Sequence, residues 1–224
     1  MQGKQAVQRR TVGILIFDDV EVLDFCGPFE VFSTARPVGD DGDDARLFTA
    51  ITIAEQNRLI TCRGGLLVQP HATIDDHPPL DILVVPGGQG TRREMHNTRL
   101  LDWIAAQDDG AELTTSVCTG AFLLAQRGLL DGRRATTHWA SIGWMRDTYP
   151  AIQVIDTARV VDEGRVITSA GVSAGIDMAL HVVARLHGEE AAARTARAME
   201  YDGFGHARVL VAGDGAFLSY ADGR

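Results

Sequence analysis

The 224-residue chain contains no uninterrupted apolar span of the ~18 residues that a membrane-crossing helix needs, which argues against a membrane partner. Met1 to Arg10 is polar and basic and has no apolar h-region, so residues 1–10 read as a disordered leader rather than a secretory signal. Cysteine is scarce. Cys26, Cys62 and Cys118 are odd in number and far apart, and they make neither a disulfide framework nor a zinc site. The cytoplasm is the compartment this implies. The histidines fall at no metal-ligand spacing such as HExxH, and nothing calls for a metal or an organic cofactor. Positive charge is in deficit: 21 Lys and Arg against 30 Asp and Glu leave a net charge of −9. Such a balance argues against nucleic acid and against anionic lipid as partners. Repeats, low-complexity tracts and linkers are absent too. One domain over residues 11–202 follows, with 203–224 as a tail of no assigned role.

What the chain does have is strand-length apolar blocks separated by helical patterns. Val12 to Phe17 and Ile82 to Val85 are runs of the kind buried in parallel sheets, and Phe48 to Ala54 is another strand. Leu59 to Gln69 holds a Gly64-Gly65 turn between two short extended pieces. Arg133 to Thr137 is extended, and Arg159 to Thr168 reads as a hairpin around Asp162 to Gly164. Asp18 to Asp24 are expected to form a loop, with a helix from about Phe29 and Pro28 in its first turn. Asn97 is placed to cap a helix whose Leu100, Leu101 and Ile104 share a face. His138-Trp139 lead into a helix that stops before Pro150. Ser173 caps one that runs to about Leu186, and Glu189 to Glu200 form the last. Strands alternating with helices predict a mostly parallel sheet with helices on both faces. The ligand crevice of such a sheet lies beyond the carboxyl ends of its strands. Asp24, Gly87-Gly88 and Cys118 each follow a predicted strand, so they share that edge.

The run from Glu112 to Arg127 carries the most information. A β-favouring segment, Leu113 to Val117, leads straight into Cys118, and a small-residue turn and a helical apolar run follow. A cysteine on this strand–cysteine–helix elbow sits on a sharp turn with its side chain toward a crevice. The first N–H groups of the next helix have no intrahelical acceptors, so they favour a thiolate and can donate to an oxyanion. A free cysteine is also commonly a small buried hydrophobe. Asp24, a lone carboxylate in Val22-Leu-Asp-Phe-Cys-Gly-Pro28, is either a cap or turn residue or a carboxyl of raised pKa facing Cys118. Gly87-Gly88 is either a tight turn or a close approach for substrate, with the N–H groups of Gly88 and Thr119 as an oxyanion hole. His138 is a candidate base for Cys118. Thr119 follows the cysteine, so no histidine adjoins it there. Cys26 lies either near the crevice or against the core, and Cys62 takes no role.

Together these residues resemble the ThiJ/PfpI superfamily. The similarity spans about Val12 to Tyr201. It rests on Leu23-Asp-Phe-Cys-Gly-Pro28, Val85-Pro-Gly-Gly88, Ser116-Val-Cys-Thr-Gly120 and the run from Gly128 to Trp139. The resemblance implies a flavodoxin-like three-layer α/β sandwich with a nucleophile elbow. Within the superfamily the chain is most similar to the isocyanide hydratase branch, through the aspartate, the Val-Cys-Thr-Gly elbow and the Ala-Thr-Thr-His-Trp run. That branch implies a lyase in which Cys118 attacks an isocyanide, Asp24 moves the proton and Thr119 assists, giving an N-substituted formamide without a cofactor. The same features occur in the amidase-like sensor domain of AraC-type regulators, which carry a helix-turn-helix module after it; Arg224 ends this chain short of one. A non-catalytic small-molecule or redox sensor is therefore one alternative, and a glyoxalase- or deglycase-like enzyme on reactive carbonyls is another. Thr119 departs from the intracellular-protease branch, which has histidine there, and Asp24 from the deglycase-like branch, which has glutamate. The tail from Gly203 to Arg224 departs from the hydratase pattern. A small-molecule substrate and a second copy in a homodimer are the partners implied.

Overall fold

Val12, Ile14 and Leu15 have no exposed surface, and the strand that carries them, β1 (Arg10–Leu15), lies inside the sheet. The computed structural model describes residues 9–40, 42, 45–213, 216–218 and 220. Residues 1–8 of the expected leader lie outside these, and Arg10 already belongs to β1. In chain order there follow α1 (Val22–Thr34), β2 (Phe48–Ala54), β3 (Ile60–Thr61), β4 (Leu67–Val68), β5 (Ala72–Thr73) and β6 (Ile82–Val85). Next come α2 (Thr91–Glu94), α3 (Thr98–Gly110), β7 (Leu113–Val117), α4 (Gly120–Ala125), β8 (Arg134–Ala135) and α5 (Ile142–Thr148). The chain closes with β9 (Gln153–Val154), β10 (Val160–Asp162), β11 (Val166–Ser169), α6 (Ala174–His187), α7 (Glu189–Ala198), β12 (Val209–Val211) and β13 (Phe217–Leu218).

Among the described residues, nine strands form one sheet in the order β13-β12-β10-β11-β7-β6-β1-β2-β5. Its pairs are parallel except β10 with β11 and β12 with β13. The expected α/β sandwich is the observed one. Helices α1, α6 and α7 pack together on one face, and α3, α4 and α5 cover the other. Edge-to-face packing of Phe32 on Phe48, 4.9 Å between centroids, ties α1 to β2. Fully burying side chains of this size stabilises the fold by about 1.5–3 kcal/mol each. The hairpins expected around Gly64-Gly65 and around Asp162 to Gly164 are present as β3–β4 and β10–β11. Asn97 caps α3, its side chain accepting from the Leu100 N–H at 3.2 Å.

The first helix departs from expectation in a way that matters for the site. It begins at Val22, not near Phe29, and holds Pro28 in its interior and Asp24 in its first turn. A proline inside a helix forfeits one backbone bond and costs about 3 kcal/mol. Burial outweighs that cost, because Phe25, Pro28, Val31 and Phe32 make one covered face along the whole element. Gly27 admits α6 closely: a Cβ there would lie 2.9 Å from Ile176 Cγ1. Ser173 stands at the start of α6 but does not cap it, and its hydroxyl accepts from Arg159 Nη2 at 3.2 Å instead. The tail also gains structure that its sequence did not announce. β12 runs parallel to β10, and Tyr220 is buried against His181 and Phe204.

Candidate active site

Cys118 leaves β7 with φ at 57°, a left-handed backbone that non-glycine residues rarely adopt. Strain of this kind persists only where neighbours hold it. The Cys118 N–H donates to the carbonyls of Ser169 and Ala170 at 3.2 and 3.0 Å, and the Thr137 hydroxyl donates to the Cys118 carbonyl at 2.8 Å. The expected elbow is therefore present, and it leads into α4, a helix of six residues. The sequence reading expected the elbow amides to favour a thiolate. Burial reverses that: together with the charge of Asp24 it pushes the Cys118 thiol up to about 12, against the pull of the Thr119 N–H and hydroxyl.

Asp24 has no exposed surface. The first turn of α1 brings it under the β6–α2 loop, where the Gly87 N–H donates to its Oδ2 at 2.9 Å. Its Oδ1 has no hydrogen-bond partner, and the carboxyl as a whole lies near the Cys118 thiol and the Val172 N–H. Burial raises its pKa to about 7, opposed by the Gly87 N–H and reinforced by the charge of Glu21. Carboxyl and thiol thus form a buried pair whose members each resist ionisation, so neutral pH finds them sharing protons rather than both ionised. Of the two readings open for Asp24, the structure carries the second: it faces Cys118 and does not cap the helix.

Thr119 and the glycine pair interlock. The Gly88 N–H donates to Thr119 Oγ1 at 3.0 Å, and the Thr91 hydroxyl donates to the Gly88 carbonyl at 2.8 Å. A Cβ on Gly87 would lie 2.5 Å from the Thr119 nitrogen, and Gly88 has φ at 125°, so both positions require glycine. This corrects the expected oxyanion hole: the N–H groups of Gly87 and Gly88 are spent on Asp24 and on Thr119. The Thr119 N–H, by contrast, lies against the Cys118 sulfur. His138 sits at the same sheet edge, its ring over Gly171, and its Nδ1 accepts from the Ala140 N–H at 3.3 Å. That bond takes up the lone pair that the general-base role would use. Burial holds the His138 pKa below its ordinary value, and the charge of Arg63 adds to this.

The DJ-1/PfpI family profile matches residues 10–185. The chain belongs to the DJ-1/PfpI family. It is 36% identical to the isonitrile hydratase of Pseudomonas putida, over 85% of this chain and 78% of that protein. It is also 28% identical to the HTH-type transcriptional regulator GbdR of Pseudomonas aeruginosa, over 86% of this chain. There the chain spans about half the length of the regulator it matches, 51%. Among solved structures, a ThiJ/PfpI family protein from Pseudomonas syringae superposes with a TM-score of 0.77 at 30% identity, covering 88% of this chain and 77% of that one.

In this DJ-1/PfpI domain some residues at the site carried no sequence signal. Val172 has φ at 53° and turns its N–H toward Asp24; in the sequence only its neighbour Ser173 is singled out, as a helix cap. Thr137 braces the elbow through its hydroxyl, and Glu21 and Arg63 form an ion pair at the rim. Beside the site, on the β1–β2 side of the same edge, opens a cavity of about 480 Å³ lined by Phe17, Asp18, Arg58, Arg93 and Glu94 among others. Neither Cys118 nor Asp24 lines it, and its guanidinium groups are paired to Asp18 and Glu94. Among the described residues no helix is long and apolar enough to cross a membrane.

Proposed function

We propose that this protein adds water to an isocyanide and releases an N-substituted formamide, with Cys118 as nucleophile and Asp24 as acid and base. The observation that carries the reading is the buried Asp24 carboxyl, its pKa raised to about 7, set against the thiol on the elbow. Such a carboxyl can take the thiol proton as sulfur attacks the terminal carbon and pass it to that carbon, giving a thioimidate. Water then adds across the C=N bond while Asp24 relays a proton from water to nitrogen. The tetrahedral adduct expels sulfur, which regains its proton, and the formamide leaves. The Thr119 N–H stabilises charge on sulfur throughout, and the Thr119 hydroxyl stays bound to the Gly88 turn that shapes the site. Likeness to a protein named isonitrile hydratase supports this choice of substrate.

A second reading is supported by the regulator match. A sensor domain built on the same elbow would bind its ligand, or have Cys118 oxidised to a sulfinate by two equivalents of peroxide, without turnover. Conversion of cyclohexyl isocyanide to its N-formamide separates the two. Wild type is expected to form product and Cys118→Ala to form none. Equal turnover by both removes Cys118 from the mechanism, and no product from wild type favours the sensor. The same reading places the protein in the cytoplasm as a homodimer, and sedimentation velocity is expected to give twice the 24.2 kDa chain mass.

A further inference from the structure

We propose that Arg159 is a positioning residue for the nucleophile: it clamps both ends of the loop from Ala170 to Ser173, and that loop holds the Cys118 elbow in its strained backbone. The catalytic meaning of the clamp rests on the hydratase reading, whereas its effect on the thiol does not. Arg159 acts on the site only through this loop.

Val172, like Cys118, has a left-handed backbone, with φ at 53°. For a β-branched residue that conformation is an outlier, and it persists only where neighbours impose it. Restraints come from both sides. Downstream, the first turn of α6 takes up the loop carbonyls: the Ala174 N–H donates to Gly171 and the Gly175 N–H to Val172, each at 3.2 Å. Across the loop stands Arg159. Its carbonyl accepts from the Ala170 N–H at 2.8 Å, and its Nη2 donates to the Ser173 hydroxyl at 3.2 Å. One residue therefore pins the loop at its first position through backbone and at its last through a side chain.

Arg159 is itself fixed. Its backbone N–H donates to the Arg208 carbonyl at 2.9 Å, and its Nε donates to Asp177 Oδ2 at 2.6 Å. Asp177 is buried, and its other oxygen accepts from the Tyr201 hydroxyl at 2.7 Å. A planar guanidinium reaches Asp177 and Ser173 together, whereas the compact ammonium of lysine lacks that rigid fork. What the loop supports is the site. The Ala170 carbonyl, with that of Ser169, accepts the Cys118 N–H. Gly171 lies under the His138 ring, and the Val172 N–H lies near the Asp24 carboxyl. Displacing the loop removes an acceptor that keeps Cys118 at positive φ, and it moves the sulfur relative to Asp24.

Iodoacetamide alkylation of full-length protein, followed on the Cys118 peptide by mass spectrometry, tests this alongside kcat and KM for cyclohexyl isocyanide. Ser173 is exposed and does not cap α6, so Ser173→Ala is expected to fold normally. It is expected to lower kcat about three- to ten-fold with KM nearly unchanged, and to speed alkylation by a similar factor. Arg159→Lys, which keeps a cation beside Asp177 but loses the fork, is expected to match or exceed both effects. Ser173→Thr, which keeps the hydroxyl, is expected to recover most of the loss. Wild-type values in Ser173→Ala overturn the proposal. So does an effect of Arg159→Lys alone, which would place the role in the Asp177 pair. Phe32→Ala, destabilised elsewhere, controls for stability, and equal acceleration there overturns the proposal too. Alkylation needs no substrate. Absence of formamide from wild type would therefore sink the hydratase reading and leave the alkylation rates to decide this one.

Discussion

Asparagine in place of Asp24 is expected to lower isocyanide turnover by about 10³-fold, the scale of a lost general acid and base, while making the protein more stable above pH 7. The first half follows from position. No other described carboxyl or imidazole is hydrogen-bonded to the elbow, and His138 has its Nδ1 committed to the Ala140 N–H. The second half follows from the raised pKa of about 7, caused chiefly by burial. An unfolded aspartate ionises near pH ~3.9. As pH rises past that value the unfolded chain gives up this proton while the folded chain keeps it. The stability contributed by protonated Asp24 is therefore full below about pH 4 and is lost as pH rises through 7. Asparagine does not titrate, and its amide oxygen can still accept from the Gly87 N–H. The variant should match wild type at pH 4 and exceed it by about 2–4 kcal/mol at pH 8. Denaturant unfolding at both pH values checks this, and parallel stability curves would remove Asp24 as the buried titrating group.

The elbow was legible because a β-favouring run, one cysteine and an apolar helical run are local features. The same holds for β2, for the Asn97 cap and for the β10–β11 hairpin, each of which matches its sequence signal. Pro28 misled because a local rule, proline at a helix start, competed with a burial pattern that continues upstream to Phe25. The thiolate expectation failed for a similar reason. Helix-end amides are visible in sequence, but the apolar walls and the neighbouring charge that push the thiol to about 12 are supplied by distant segments. Oxyanion donors were misassigned because Gly87 and Gly88 announce a close turn without saying which groups their N–H bonds face. Glu21 and Arg63 are 42 residues apart and meet only when the hairpin folds over α1. Short strands such as β9 and β12 carry too few residues for periodicity to register; backbone pairing recruits β12 to the main sheet beside β10 and joins β9 to β8 in a separate pair.

Phe122→Ala is expected to cost about 3–5 kcal/mol of stability and to loosen the elbow as it does so. Helix α4 has only six residues, too few for intrinsic helical stability in water. What holds it is packing: Phe122 is fully buried, stacks on Trp144 with centroids 4.1 Å apart, and meets Tyr149 edge-on at 6.0 Å. Truncation leaves a cavity directly behind the residue pair that follows Cys118. A loss of that size in a domain of this length lowers the melting temperature by about 10 °C. The strained φ of Cys118 then has fewer contacts to maintain it, so the thiol should become accessible. Alkylation of Cys118 by iodoacetamide at pH 8 is expected to be faster in Phe122→Ala than in wild type at a temperature where both are folded. Substituting Phe32, equally buried but packed on β2 across the sheet, should destabilise by a similar amount without raising the alkylation rate. Equal acceleration in both variants would mean that the elbow responds to global stability alone, and that α4 packing has no special hold on the nucleophile.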